Sequence, residues 1–157
     1  PPELFASLGL TFDLDPASSN PPVPWVPAKR FMWADGDCLP WDGRVWLNPP
    51  YGPAAVPFVD RMIRHGNGMM LLPARTETRA FQYAALAADS VCFLRDRLHF
   101  VRNDGFQARS SFGSVLFALG WDCHQALMRA GLGWPHRHPM AGTPFVRLNL
   151  PPMGRAA

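Results

Sequence analysis

Arg44-Val45-Trp46-Leu47-Asn48-Pro49-Pro50-Tyr51-Gly52 decides how this chain is read. Residues 44–47 read as a short buried strand, and the prolines and glycine that follow break it. An amide, two rigid prolines and an aromatic ring then stand at the strand's carboxyl end. Open α/β sheets bind their ligands at that edge. The Asn48 side-chain oxygen and the Pro49 carbonyl can both accept hydrogen bonds from one exocyclic NH2 group. Tyr51 can lie face-on against the ring that carries it. Proline has no N–H, so the backbone here offers acceptors and little competition. Taken alone, the segment is equally a Pro-Pro turn with Asn capping a bend. Its surroundings tip the balance.

Upstream, the apolar run Phe31-Met32-Trp33 leads into Ala34-Asp35-Gly36-Asp37-Cys38-Leu39, a turn rich in acids. Before that, Leu10–Asp15 is another apolar strand ending in acids, followed by Pro16-Ala17-Ser18. Acids at a strand's carboxyl end are placed to hold hydroxyls or a positively charged amine. Asp13 and Asp15 alternate in facing, so they do different jobs. Asp15, at the strand end, is the better ligand group, and Asp13 is free to satisfy backbone groups.

The remaining strands and helices continue the alternation. Strands are expected at Arg30–Trp33, Val45–Leu47, Met69–Leu72, Val91–Leu94 and Ser114–Leu119, with a late one at Thr143–Leu150. The spacing predicts a helix over Ala54–His65, ended by Gly66, with Val56, Val59, Met62 and Ile63 inward. It predicts a second over Glu77–Ala88 with Thr76 as N-cap, and a third over Asp122–Ala130 with an Asp cap. Strands alternating with helices imply an α/β fold with a mostly parallel sheet. Five prolines fall between Asp15 and Ala28 and no glycine lies between Gly9 and Gly36, so the helix after the first strand is missing or very short.

At 157 residues the chain is read as one domain, 1–157. Its 48% hydrophobic content suits a globular core, and the 18 prolines are interleaved with aromatics as in rigid loops. Net charge is +3, and of the 15 basic residues only Lys29 is a lysine. Arginine suits bidentate phosphate contacts, although a genome rich in arginine codons explains the bias as well. Cys38, Cys92 and Cys123 form no metal-binding pair and no disulfide frame, which fits a reduced, cytoplasmic protein. His136-Arg137-His138 lacks the partners a metal needs, so no metal is expected. No apolar run is long enough to span a membrane. There is no G-x-S-x-G elbow for a nucleophilic triad.

Taken in order, these segments resemble the phage-type, Dam-like family of DNA N6-adenine methyltransferases. Pro1-Pro2-Glu3-Leu4-Phe5 resembles the family's opening segment, without its Thr. Phe12-Asp13-Leu14-Asp15-Pro16-Ala17-Ser18 resembles its acidic cofactor motif, and Trp46–Gly52 its catalytic motif. Leu71–Thr78 and Phe93–Phe100 resemble two later blocks, so the likeness runs from residue 1 to about residue 119. The resemblance implies a single Rossmann-like, S-adenosylmethionine-dependent methyltransferase domain with an antiparallel strand near one sheet edge. The family's glycine-rich loop is reduced here.

The same resemblance implies that Asn48, Pro49, Pro50 and Tyr51 are catalytic. It implies cofactor contacts at Pro2, Phe5, Asp13, Asp15, Pro16, Asp37, Cys38 and Asn48, with Asp37 accepting from the cofactor's adenine amino group. It further implies a DNA partner and a phage or prophage origin. Arg95, Arg97, Arg102 and Arg109, mixed with Phe100 and Phe106, suit phosphate contacts and base stacking, or an ordinary exposed loop. Arg75 and Thr76 follow a strand end near the same cleft, where a helix N-terminus can also bind phosphate. Two rivals share the pocket's chemistry: a methyltransferase acting on a protein glutamine amide or on guanine N2 of RNA, and a catalytically silent DNA-binding module.

Overall fold

The computed structural model describes residues 1–101 and 104–137. The strand expected at Thr143–Leu150, together with Arg102 and His138, lies outside the described residues.

The elements run α1 (Pro2–Leu8), β1 (Phe12–Asp15), β2 (Ala28–Phe31), β3 (Val45–Leu47), a tight helical turn at Gly52–Ala54, α2 (Ala55–His65), β4 (Gly68–Pro73), α3 (Arg79–Ala87) and β5 (Ser90–Leu94). They continue with β6 (His99–Val101), β7 (Gln107–Arg109), β8 (Ser114–Leu119), α4 (Trp121–Arg129) and β9 (Gly133–Arg137). Seven strands form one sheet in the order β2-β1-β3-β4-β8-β5-β9, and β6 and β7 form a separate hairpin. The β1–β2, β1–β3 and β3–β4 pairings are parallel, whereas β4–β8, β8–β5 and β5–β9 are antiparallel.

The expected α/β class is therefore observed, with a mixed sheet. Its antiparallel strand β8 sits inside the sheet, between β4 and β5, and the edge strand β9 also runs against its neighbour. The physical reason is the hairpin arm. The chain leaves β5 at the carboxyl edge, forms β6 and β7 there, and re-enters the sheet from that same edge as β8. No crossover helix intervenes, so the direction must reverse.

Helices cover both faces. On one, α2 presents Ala55, Val59, Met62 and Ile63 as a stripe at helical spacing, packed with α3 against Leu47, Met70 and Phe117. On the other, Leu4, Phe5 and Leu8 of α1 and Cys123, Ala126 and Leu127 of α4 pack on Trp46, Met69 and Leu116. Both faces of β4 and β8 are covered, which explains their unbroken apolar runs.

Some boundaries shift for local reasons. The N-cap of α3 is Thr78, whose hydroxyl accepts from the Phe81 N–H at 3.3 Å, and not Thr76. The α4 helix starts from Gly120 at φ 90°, which leaves Asp122 inside the first turn. Between β1 and β2 the described chain holds no helix, as the prolines predict. Among the described residues, no helix is long and apolar enough to cross a membrane.

Candidate active site

From β1 the chain passes to β2 on one flank, then returns to lay β3 on the other flank of β1. The loops after β1 and β3 therefore part, and a crevice opens at the carboxyl ends of those strands. A cavity of about 240 Å³ lies there, with Asp15, Ser18, Trp25, Trp46, Asn48 and Phe100 among its walls. Helix α1 closes one side through Leu4 and Phe5. The Phe5 ring meets Trp46 edge-on at 4.7 Å between centroids, which fixes both side chains.

Two of the polar side chains that line this cavity, Asp15 and Asn48, are each short of a partner. Asp15 is 5% exposed. Its Oδ1 accepts from the Ala17 N–H at 3.1 Å. Burial raises its pKa to about 7, and the Ala17 hydrogen bond offsets this only in part. The cations of the neighbouring strand are engaged elsewhere, Lys29 with Asp13 and Arg30 with Asp42. The Asn48 Oδ1 atom is buried and has no hydrogen-bond partner in the protein. A buried acceptor left open is costly unless a ligand donates to it.

The other expected site residues divide by location. Pro49 is buried next to Asn48, whereas Pro50 is exposed and Tyr51 is 49% exposed beyond it. Asp13 points away from the cavity wall. One of its oxygens binds Lys29 Nζ and the other accepts the Arg44 N–H, both at 2.8 Å. Those contacts hold its carboxyl below the usual range, the Lys29 hydrogen bond acting most strongly. Asp13 thus ties β1 to β2 and to the entry of β3.

Pro16 is buried, with its carbonyl packed against Gly36, so the loops after β1 and β2 touch. Asp37 and Cys38 sit on that second loop, in a turn closed by the Cys38 and Leu39 N–H groups on the Asp35 carbonyl. The Arg61 guanidinium binds the Asp37 carbonyl at 2.7 Å. This turn adjoins the crevice but does not line the cavity; Cys38 is exposed. Pro2 opens α1 and lines a second, neighbouring cavity.

The basic candidates gather at the carboxyl edge. Arg75 follows β4, pairs with Glu77 at 3.1 Å and lies 5.6 Å from the centre of the Phe112 ring. Thr76 is exposed in the same turn. Arg95 and Arg97 precede the hairpin arm and Arg109 lies on its return strand, all exposed. Among the described residues, no cluster of three His, Cys, Asp or Glu side chains could hold a metal ion.

Sequence reasoning missed Trp25 as a cavity wall and α1 as the helix that closes one side. A signal for α1 was present: Pro2 and Glu3 in a first turn, apolar Leu4, Phe5 and Leu8, and Gly9 as a left-handed stop at φ 60°.

The family model for DNA N-6-adenine-methyltransferase (Dam) matches residues 1–123. The chain belongs to that family. No curated protein matches the chain.

Proposed function

We propose that this member of the DNA N6-adenine methyltransferase family transfers a methyl group from S-adenosylmethionine to the N6 amino group of adenine in DNA. The observation that carries the reading is the unpartnered Asn48 Oδ1, buried in the same switch-point cavity as Asp15.

The residues present fit the cofactor that the family implies. Asp15 is a buried carboxylate that lacks a protein cation, and S-adenosylmethionine is cationic. Phe5, Trp25 and Trp46 give apolar walls. Asp37 is the proposed acceptor for the adenine amino group. Asp13 is left out of this reading, because Lys29 and Arg44 already occupy it. When bound, the cofactor supplies an electrophilic methyl group on a sulfonium.

The chain's own part is to position and polarise. An adenine amino nitrogen is a weak nucleophile, since its lone pair is delocalised into the ring. Asn48 Oδ1 and the Pro49 carbonyl accept its two N–H bonds, which favours a pyramidal nitrogen with an available lone pair. Tyr51, partly exposed at the rim, stacks on the ring. A stacked base cannot reach this crevice, so the adenine enters flipped out of the duplex. Arg75, Arg95 and Arg109 lie where they can hold the phosphates on either side.

The deciding experiment supplies methyl-labelled S-adenosylmethionine with DNA, RNA and protein pools in parallel. Label should enter DNA as N6-methyladenine, and Asn48→Ala should abolish it. Label in RNA or protein alone would move the chain to another methyl acceptor. Absence of transfer with intact cofactor binding would leave a silent DNA-binding module.

A further inference from the structure

The sheet face that α2 and α3 cover opens to solvent at β5 and β9. Helix α3 packs over β8, where Phe81 meets Phe117 edge-on at 5.2 Å between centroids. The chain then enters β5 directly, and α4 packs on the opposite face. The β5–β9 register sets Phe93 opposite Trp134 and Val91 opposite His136, so these four side chains share one side. Val91 packs against the α2–α3 core, which fixes that side. Among the described residues, Trp134 is 71% exposed and Phe93 39%. The Phe93 and His136 rings meet edge-on at 6.1 Å.

The charge on this face has one sign. Arg95 follows β5 by one residue, and its N–H binds the Leu132 carbonyl at 3.1 Å, so the pairing continues. Alternation then sets Arg95 on the side of Phe93. It is exposed and makes no ion pair among the described residues. No Asp or Glu occurs in α3, β5 or β9. Asp96 turns to the other side, where it lines the cavity beside α1. Trp134 and His136 lie beyond residue 123, where the family match stops.

We propose that this face is a stacking platform for unpaired nucleotides of DNA, outside the catalytic crevice, with bases on Trp134 and Phe93 and a phosphate on Arg95. Exposed rings on an open sheet face take bases by stacking, and a neighbouring cation holds the backbone. Only unpaired bases offer free ring faces, because in a duplex the neighbouring pairs cover them. Arg95 stands on the same carboxyl rim as Asn48, so a strand leaving the crevice can continue onto the platform. The stacking surface stands without the methyl-transfer reading; the choice of DNA over another polynucleotide rests on it. A protein strand is the poorer occupant, since Pro135 leaves the β9 edge short of a donor for pairing.

The test is fluorescence anisotropy of labelled oligo(dT) of about twelve nucleotides, beside a blunt duplex of similar length. Oligo(dT) holds no adenine for the crevice. Trp134→Ala should weaken oligo(dT) about tenfold with an unchanged salt slope, since a ring is lost and no charge. Trp134→Phe should keep most of the affinity. Duplex binding by Trp134→Ala, and oligo(dT) binding by Tyr51→Ala in the crevice, should each stay within about twofold. The melting temperature of Trp134→Ala should not fall, its ring being exposed.

No binding of oligo(dT) by the unaltered protein, equal losses for strand and duplex, or no loss for either would overturn the platform. So would a lowered melting temperature in Trp134→Ala, which would assign the ring to the chain's own residues 138–157. A dimer in the unaltered protein that Trp134→Ala dissolves would make the face a contact between two copies instead. Tighter binding of oligo(rU) than of oligo(dT) would overturn the choice of DNA. Absence of methyl transfer with the Trp134 effect intact would sink the proposed reaction and leave the platform standing.

Discussion

Asp15 and Asn48 meet in one cavity with opposite deficits: a carboxylate that wants a cation and an amide oxygen that wants a donor. Each makes a different prediction. Asn48→Ala should lower methyl transfer by about a hundredfold or more, because a polarising contact is lost. It should leave cofactor affinity by calorimetry nearly unchanged, and near-normal turnover would sink the mechanism. For Asp15, the folded pKa of about 7 lies above the unfolded value near 3.8. The folded protein thus holds the extra proton between those values, and stability falls as pH rises through that window. Asp15→Asn should therefore raise the melting temperature at pH 8 but not at pH 3. Binding of a cationic ligand needs the ionised carboxylate. Affinity for S-adenosylmethionine should climb as pH rises through 7, and the climb should vanish in Asp15→Asn. A flat profile in the unaltered protein would remove Asp15 from the site.

At the level of elements, the contact between the loops after β1 and β2 is the most exacting. A Cβ at Gly36 would run into the Pro16 carbonyl oxygen, and backbone cannot give way as a flexible side chain can. Gly36→Ala should part the two loops, lower stability and weaken the cofactor together, as measured by melting and calorimetry. Gly52→Ala provides the contrast, since its Cβ would meet nothing and only its φ of 82° is strained. The strands that were legible in the sequence are those buried on both faces. Val45–Leu47 and Ser114–Leu119 have the predicted limits because nothing but burial shapes them. The β6–β7 hairpin and β9 were not legible. Their residues alternate poorly in burial, and β9 carries Pro135, tolerable only because it lies at a sheet edge. The place of Asp15 and Asn48 on the cavity wall could be read because Asp15 ends β1 and Asn48 directly follows β3. Trp25 and Phe100 could not, because their place in the cavity is set by packing between distant segments.

For the whole molecule, topology brings the carboxyl ends of β1, β3, β4 and β5 and the start of β8 to one edge. Arg75, Arg95 and Arg109 thereby share a rim with Asn48. Replacing any one of them by Ala should reduce the slope of log K for DNA against log salt by roughly one. The same topology has a consequence in time. The crevice is walled by Pro1, Leu4 and Phe5 and by Phe100 and Val101, groups about a hundred positions apart in sequence. A partly folded chain in which either segment has not docked cannot offer the site, so ligand capture reports on their joint folding. At a concentration a hundredfold above Kd, a ligand adds about 2.7 kcal/mol against any opening that breaks the site. Hydrogen exchange should then slow in α1 and β6 together, in two stretches with no backbone hydrogen bond between them among the described residues, while the exposed turn at Asp104–Phe106 keeps its exchange rate.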